Sequence, residues 1–155
     1  MQSREANVND SNEIFEWRND PVTRLSFFSK TKIDWNEHQA WFKNILADEN
    51  SLIIIVEDID KKLGVVRYDK KGSHHVVSLN TNPEHRGKGL SADILLCSEE
   101  IIKNKFQDIQ LQAEVLNTNL LSKKTFSRAG YELLSNNKKI SKYVKFLKPP
   151  QELWK

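Results

Sequence analysis

Leu52-Ile53-Ile54-Ile55-Val56 is an unbroken apolar run, and it constrains the fold more than any other stretch of the chain. Side chains of a strand point alternately to its two faces, so a strand that is apolar throughout must be covered on both. The run therefore predicts a central strand with helices above and below it, and the flanking sequence supplies them. Residues 2–6 fit a short first strand. Asp10 with Glu13 three residues on resembles a capping box, and the helix it opens should stop at Asp20-Pro21. Asp34 with Glu37 repeats the device, after which Trp41, Phe42, Ile45 and Leu46 form a helical stripe reaching about Ala47.

Downstream the period changes. Leu63–Tyr68 and Val76–Thr81 read as strands separated by Lys, Gly and Asp turns. A helix follows with Leu90, Ile94, Cys97, Ile101 and Ile102 on one side. Ile109, Leu111, Ala113 and Val115 then alternate with Gln110, Gln112 and Glu114, a half-buried strand. Thr118 or Asn119 caps a helix that ends at Gly130, and Tyr131–Leu134 with Tyr143–Leu147 closes the chain as a hairpin pair. The predicted order is β-αα-βββ-α-β-α-ββ, an α/β chain with one mixed sheet (α+β in its pairing) and helices on both faces. At 155 residues this is one domain, 1–155.

Composition removes several classes. With 38% hydrophobic and 29% charged residues the chain is a globule rather than a disordered segment. A single cysteine, Cys97, allows no internal disulfide and no Cys-based zinc site, and no metal is expected. Residues 1–13 carry no apolar leader, and the longest apolar run is far below the ~20 residues of a membrane span. The expectation is a cytoplasmic protein with no membrane partner. The net charge of +3 is scattered over pairs such as Lys61-Lys62 and Lys138-Lys139, which argues against nucleic acid and suits an anionic small ligand.

The segment Asn82-Pro83-Glu84-His85-Arg86-Gly87-Lys88-Gly89-Leu90-Ser91 lies between a strand and a helix. Two glycines allow close backbone approach, and the helix start offers unpaired N–H groups and the positive end of its dipole. Arg86 and Lys88 add charge. Physically this is a diphosphate cradle. Its spacing is neither that of the triphosphatase loop nor that of the three-glycine dinucleotide fingerprint.

Arg86-Gly87-Lys88-Gly89-Leu90-Ser91 resembles the Gln/Arg-x-x-Gly-x-Gly/Ala loop of the GCN5-related N-acetyltransferases. Asn119-Leu120-Leu121-Ser122, then Phe126 and Gly130-Tyr131, is similar to that family's second cofactor segment, at the expected separation. The resemblance implies a GNAT-like acyl-CoA N-acyltransferase fold and acetyl-CoA as donor, with coenzyme A released. It implies that Arg86, Gly87, Lys88, Gly89, Leu90 and Ser91 hold the diphosphate of coenzyme A. Leu79 and Thr81 would pair by backbone with the pantetheine arm, Asn119 would contact that arm, and Ser122 would lie nearby. Lys123 is either a reach toward the 3′-phosphate or a solvated helix lysine. Two positions depart from the pattern. Ser91 replaces the usual Gly or Ala. Phe126 replaces the tyrosine that commonly protonates the leaving thiolate, and phenylalanine has no proton to give.

Acyl transfer to an amine needs a neutral amine, a polarised carbonyl and near-attack positioning. Glu114, on the polar face of its strand, is the candidate base, matching the base position of the ribosomal-protein alanine N-acetyltransferases; its alternative is a sheet-surface carboxylate. His75, at the start of the strand carrying Leu79, is the second catalytic candidate, or else a turn histidine. Arg18, Asn19 and Arg24 around the end of the first helix, with His38 and Trp41 on the second, are the acceptor candidates, packing being the other reading of the aromatics. Arginines beside aromatics suit a nucleotide-sugar. The stretch resembles acetyltransferases that modify UDP-linked amino-deoxysugars in the pseudaminic acid pathway of bacterial surface glycans, and also the ribosomal-protein enzymes. The expected reaction is direct transfer to a primary amine by a monomer or homodimer. A protein N-terminal acetyltransferase and a non-catalytic acyl-CoA-binding module are the alternatives.

Overall fold

The computed structural model describes residues 1–26 and 30–148. The strands are β1 (Gln2–Glu5), β2 (Ser51–Asp58), β3 (Lys61–Lys71), β4 (His74–Thr81), β5 (Ile109–Leu116), β6 (Glu132–Asn136) and β7 (Ile140–Leu147). The helices are α1 (Ser11–Asn19), α2 (Pro21–Leu25), α3 (Trp35–Leu46), α4 (Ser91–Lys105) and α5 (Leu120–Arg128). The strands form one sheet in the order β1-β2-β3-β4-β5-β7-β6. Every neighbouring pair is antiparallel except β4 with β5. The mixed α/β architecture expected from the apolar pattern is the one observed.

The apolar run behaves as its composition demands. Ile54, Ile55 and Val56 are fully buried, with Ile54 and Val56 in the core beneath α4 and α5, and Ile53 and Ile55 in a second core beneath α1 and α3. Each such side chain removed from water contributes roughly 1.5–3 kcal/mol, which fixes β2 in the middle of the layers.

Two local expectations are corrected. The box at Asp10 and Glu13 does not form. Asn7 caps instead, at a short 3-10 turn over Val8–Asp10, and Asp10 closes that earlier box by accepting from the Asn7 N–H. The Asp10 carboxylate is spent on tertiary contacts. It takes two hydrogen bonds from Arg4 at 2.8 and 2.9 Å and lies 2.9 Å from Lys62 Nζ, so it ties β1 and β3 to the start of α1. Burial opposes its charge, but Arg4, the Asn7 N–H and Lys62 outweigh this and hold the carboxyl below the usual range. The second correction is at Asp20-Pro21, which ends α1 but also opens α2. Asp20 accepts from the Val22 and Thr23 N–H groups, and Pro21 sits at the first helical position, where its missing N–H costs nothing. At Asp34 half of the expected box forms, its carboxylate accepting from the N–H groups of Asn36 and Glu37 without the reciprocal bond to the Glu37 side chain.

The feature that positions the site is the single parallel pair. β4 meets β5 only at His75 with Leu111 and Val76 with Gln112. Beyond Val76 the two strands part. On its other edge β4 stays paired with β3 to Thr81, and Asn82 donates its N–H to Leu63 O at 2.8 Å. Backbone groups alternate in direction along a strand, so those of Leu79 and Thr81 face the opening beside β5.

Candidate functional site

A cavity of about 450 Å³ runs through this opening. Val77, Leu79, Val115, Asn119, Ser122 and Phe126 line it on the side of the sheet covered by α4 and α5. Ile14, Arg18, Trp41, Ile53, Val65 and Arg67 line it on the side covered by α1 and α3. Ser26, Thr31 and Ile33, between α2 and α3, complete that side. Two chemical environments thus meet between two strands.

At the end of β4, Asn82 caps a short 3-10 turn by accepting from the Glu84 N–H, and the chain continues through Gly87 and Gly89. Both glycines have left-handed backbone, φ +76° and +69°, with open space where a Cβ would sit. A side chain there would strain the turn rather than clash. No side chain caps α4, whose Ile94 N–H bonds Leu90 O, so the N–H groups of its first turn stay free for an anion. Thr81 Oγ1 and Ser91 Oγ lie 3.3 Å apart, pinning the two ends of the turn together. Lys88 donates to His85 Nδ1 at 3.3 Å on the surface. Arg86 turns away from the glycines. Its guanidinium donates to Asp20 Oδ2 and, at 2.8 Å, to Thr23 Oγ1, joining the turn to α2. A coenzyme A diphosphate would therefore meet backbone N–H groups here, and the Arg86 side chain would brace the turn.

On the other side, the Arg18 guanidinium lies 4.4 Å from the centre of the Trp41 ring and that of Arg67 lies 5.4 Å from it. Arg67 Nε is 2.9 Å from Asp69 Oδ2, whereas Arg18 has no ion pair among the described residues. Burial, then the neighbouring Arg67 charge, pushes the Arg18 guanidinium down to about 10. Asn80, itself buried, lines the same wall with its Nδ2 unpartnered.

Among the residues singled out from the sequence, Arg18, Trp41, Leu79, Glu114, Asn119 and Ser122 come together around this one cavity. Glu114 is half exposed, with Lys142 Nζ 3.8 Å away on the adjacent strand β7. The Asn119 side chain also caps α5 by accepting from the Ser122 N–H at 3.1 Å.

Others fall elsewhere. His75 lies where β4 and β5 are still paired, buried against the Phe106 ring at 4.7 Å and away from the cavity. Burial, with Lys70, holds its imidazole below the ordinary value. His38 is fully buried among Phe15, Trp35, Trp41 and Phe42, and its Nε2 lies 3.0 Å from Ser11 O, a packing and anchoring role. Asn19 acts at one remove. Its side chain donates to Ile33 O at 2.8 Å and accepts from Ile33 N–H at 2.7 Å, fixing the backbone of a lining residue. Arg24 does not line the cavity. Phe126 does, with its ring edge-on to Tyr131 at 5.0 Å.

Arg67, Ser78 and Asn80 line the cavity and were not anticipated. A signal was there for Arg67, a cation inside the otherwise apolar run Leu63–Tyr68, on the same face of β3 as Val65.

A glycine turn leading out of a splayed parallel pair, beside a cavity that crosses the sheet, is the arrangement expected of an acyltransferase. The chain belongs to the acetyltransferase (GNAT) domain family, whose model matches residues 4–132, and is by class an acetyl-CoA-dependent N-acetyltransferase. Its fold is similar to that of spermidine N-acetyltransferase from Vibrio cholerae, solved with CoA and spermine (TM-score 0.81, 14% identity, 94% of each chain). It is also similar to an aminoglycoside acetyltransferase solved with coenzyme A (0.76, 15%, 93% of each chain). A third is a ribosomal-protein-alanine N-acetyltransferase from Brucella melitensis (0.76, 18%, 95% of this chain and all of that one). No curated protein matches the sequence. Among the described residues no helix is long and apolar enough to cross a membrane.

Proposed function

We propose that this chain transfers the acetyl group of acetyl-CoA to the amine of a nucleotide-linked amino-sugar, such as a UDP-linked amino-deoxysugar, with both substrates bound at once. The observation that carries this reading is the continuous cavity through the β4–β5 opening, with the strand edge at Leu79 on one side and two arginines beside the Trp41 ring on the other.

The free N–H groups around Gly87, Gly89 and the start of α4 hold the diphosphate. Leu79 and Thr81 offer the pantetheine arm a strand edge, and Asn119 and Ser122 face it from α5. Bound acetyl-CoA supplies the activated acyl group. Glu114 stands on the acceptor side as the base. An amine on a sugar ring is less basic than a lysine amine because of its neighbouring oxygens, so a half-exposed carboxylate, directly or through a water, suffices to take its proton. Phe126 seals the cavity floor and moves no proton. His75, set apart from the cavity, has no part in the reading.

The test is thiol release from acetyl-CoA with a UDP-4-amino-sugar, with spermidine, an aminoglycoside and a peptide N-terminus as parallel acceptors. Turnover of the sugar nucleotide at least a hundredfold above the others is expected. Turnover confined to peptides or polyamines would remove the proposal.

A further inference from the structure

We infer that Arg67, with Arg18, Ser78 and Asn80, forms an anion-binding subsite on the acceptor side of the cavity, built for a phosphate of the acceptor. This deepens the reading above and rests on the cavity being the acceptor site.

The subsite follows from what is donor, what is acceptor and what is unpaired. Arg67 and Ser78 are directly opposite on β3 and β4, and Val65 and Asn80 are the next opposed pair on the same face. All four line the cavity, as does Arg18 from α1. Of the charged groups among the described residues that line this side of the cavity, Arg18 and Arg67 are cations and Glu114 is the one carboxylate; Asp69, paired with Arg67, does not line it. Glu114, on β5, has Lys142 beside it.

Two guanidiniums held against one Trp41 ring repel each other, and burial adds to the cost of Arg18. A dianion between them would relieve both penalties, since arginine forks match phosphate oxygens two at a time. The second, independent sign is Asn80, buried with an orphaned Nδ2 in the cavity wall. Buried donors without partners are rare in folded proteins, and a phosphate oxygen would satisfy this one. Arg18 and Arg67 would repel spermine or kanamycin, the polycations held by two acetyltransferases of similar fold.

The experiment is calorimetric titration of UDP into protein saturated with CoA, which keeps UDP out of the cofactor turn. UDP is expected to bind, and Arg67→Met to weaken it at least tenfold while CoA affinity stays within twofold. No UDP binding to the CoA-loaded protein, or unchanged binding in Arg67→Met, overturns the subsite. Should Arg67→Met lose CoA binding through misfolding, Arg67→Lys replaces it. That variant keeps the charge beside Asp69 but not the planar fork, and UDP must weaken at least threefold; an unchanged value overturns the subsite. Failure of the wild-type chain to bind CoA at all would instead sink the acetyltransferase reading, so the two failures are distinct.

Discussion

The two sides of the cavity are built from different material. On the proposed cofactor side the groups on offer are mainly backbone, the β4 edge at Leu79 and Thr81 and, beyond the cavity, the turn at Gly87 and Gly89 and the uncapped start of α4, with the side chains of Asn119, Ser122 and Phe126 beside them. On the acceptor side they are side chains brought from three separate segments, Arg18 from α1, Trp41 from α3 and Arg67 with Asn80 from the sheet. A backbone site depends on local conformation, so it can be carried on many sequences that keep two glycines and a helix start. A side-chain site depends on which residues the fold happens to bring together. It follows that the donor should be common to the family and the acceptor particular to this chain.

The largest effect should come from the turn. Gly87→Val with Gly89→Val forces branched residues into left-handed backbone, at roughly 1–2 kcal/mol or more for each position. The exposed turn will relax into another shape rather than unfold the sheet. Acetyl-CoA affinity by calorimetry should fall by about thirtyfold or more, with the thermal midpoint within about 2–4 °C of wild type. Unchanged affinity would mean that side chains, not amides, grip the donor, and the contrast between the two sides would be lost.

A smaller effect is expected where the sides are joined. Asp20 caps α2 on the acceptor side and holds Arg86 of the cofactor turn. Burial works against its charge, yet the Thr23 N–H and Arg86 keep its carboxyl below the usual range. A depressed carboxyl gives stability above its ordinary value and loses it only as pH falls below about 4, so the link is complete throughout the pH 6–8 window. Asn caps a helix about as well as Asp, which makes Asp20→Asn a test of the charge alone. A part-exposed ion pair contributes up to about 1 kcal/mol, so CoA affinity and acceptor KM should each worsen by up to about fivefold, equally at pH 6 and pH 8. A change confined to one substrate would show that the two sides are not coupled through Arg86.

This contrast also explains what could be read in advance. The succession of elements along the chain, apart from the short helix α2, the covered run at Leu52–Val56 and the 86–91 turn were legible because periodicity and glycine spacing are local signals. The acceptor side was legible only in part. Arg18 and Trp41 were within reach of a helix-face argument. Arg67 and Asn80 become neighbours of theirs only through the β3–β4 register and the packing of α1 and α3 over it, information no single segment contains. His38 and His75 misled for a related reason. Histidine is chemically versatile, but His38 is buried among aromatic rings and His75 against Phe106, and burial favours the neutral form. The Asp10 box was displaced because a carboxylate near Arg4 and Lys62 has stronger partners than a helix N–H.

Phe126 sets the finest test, because it sits on the cofactor side yet is a side chain. Its ring lines the cavity, packs edge-on to Tyr131 and stacks near Tyr143 at 6.4 Å, and tyrosine keeps that ring while adding a hydroxyl. If the donor side acts through backbone positioning, a phenol at residue 126 has little to add, and Phe126→Tyr should change kcat by less than about threefold, against the 10²–10⁴ typical of a positioned acid. Single-turnover rates under saturating acetyl-CoA would measure it free of product release. A hundredfold gain would place proton donation, rather than positioning, in control of the rate. The division between a backbone side and a side-chain side would then fail at the reacting centre itself.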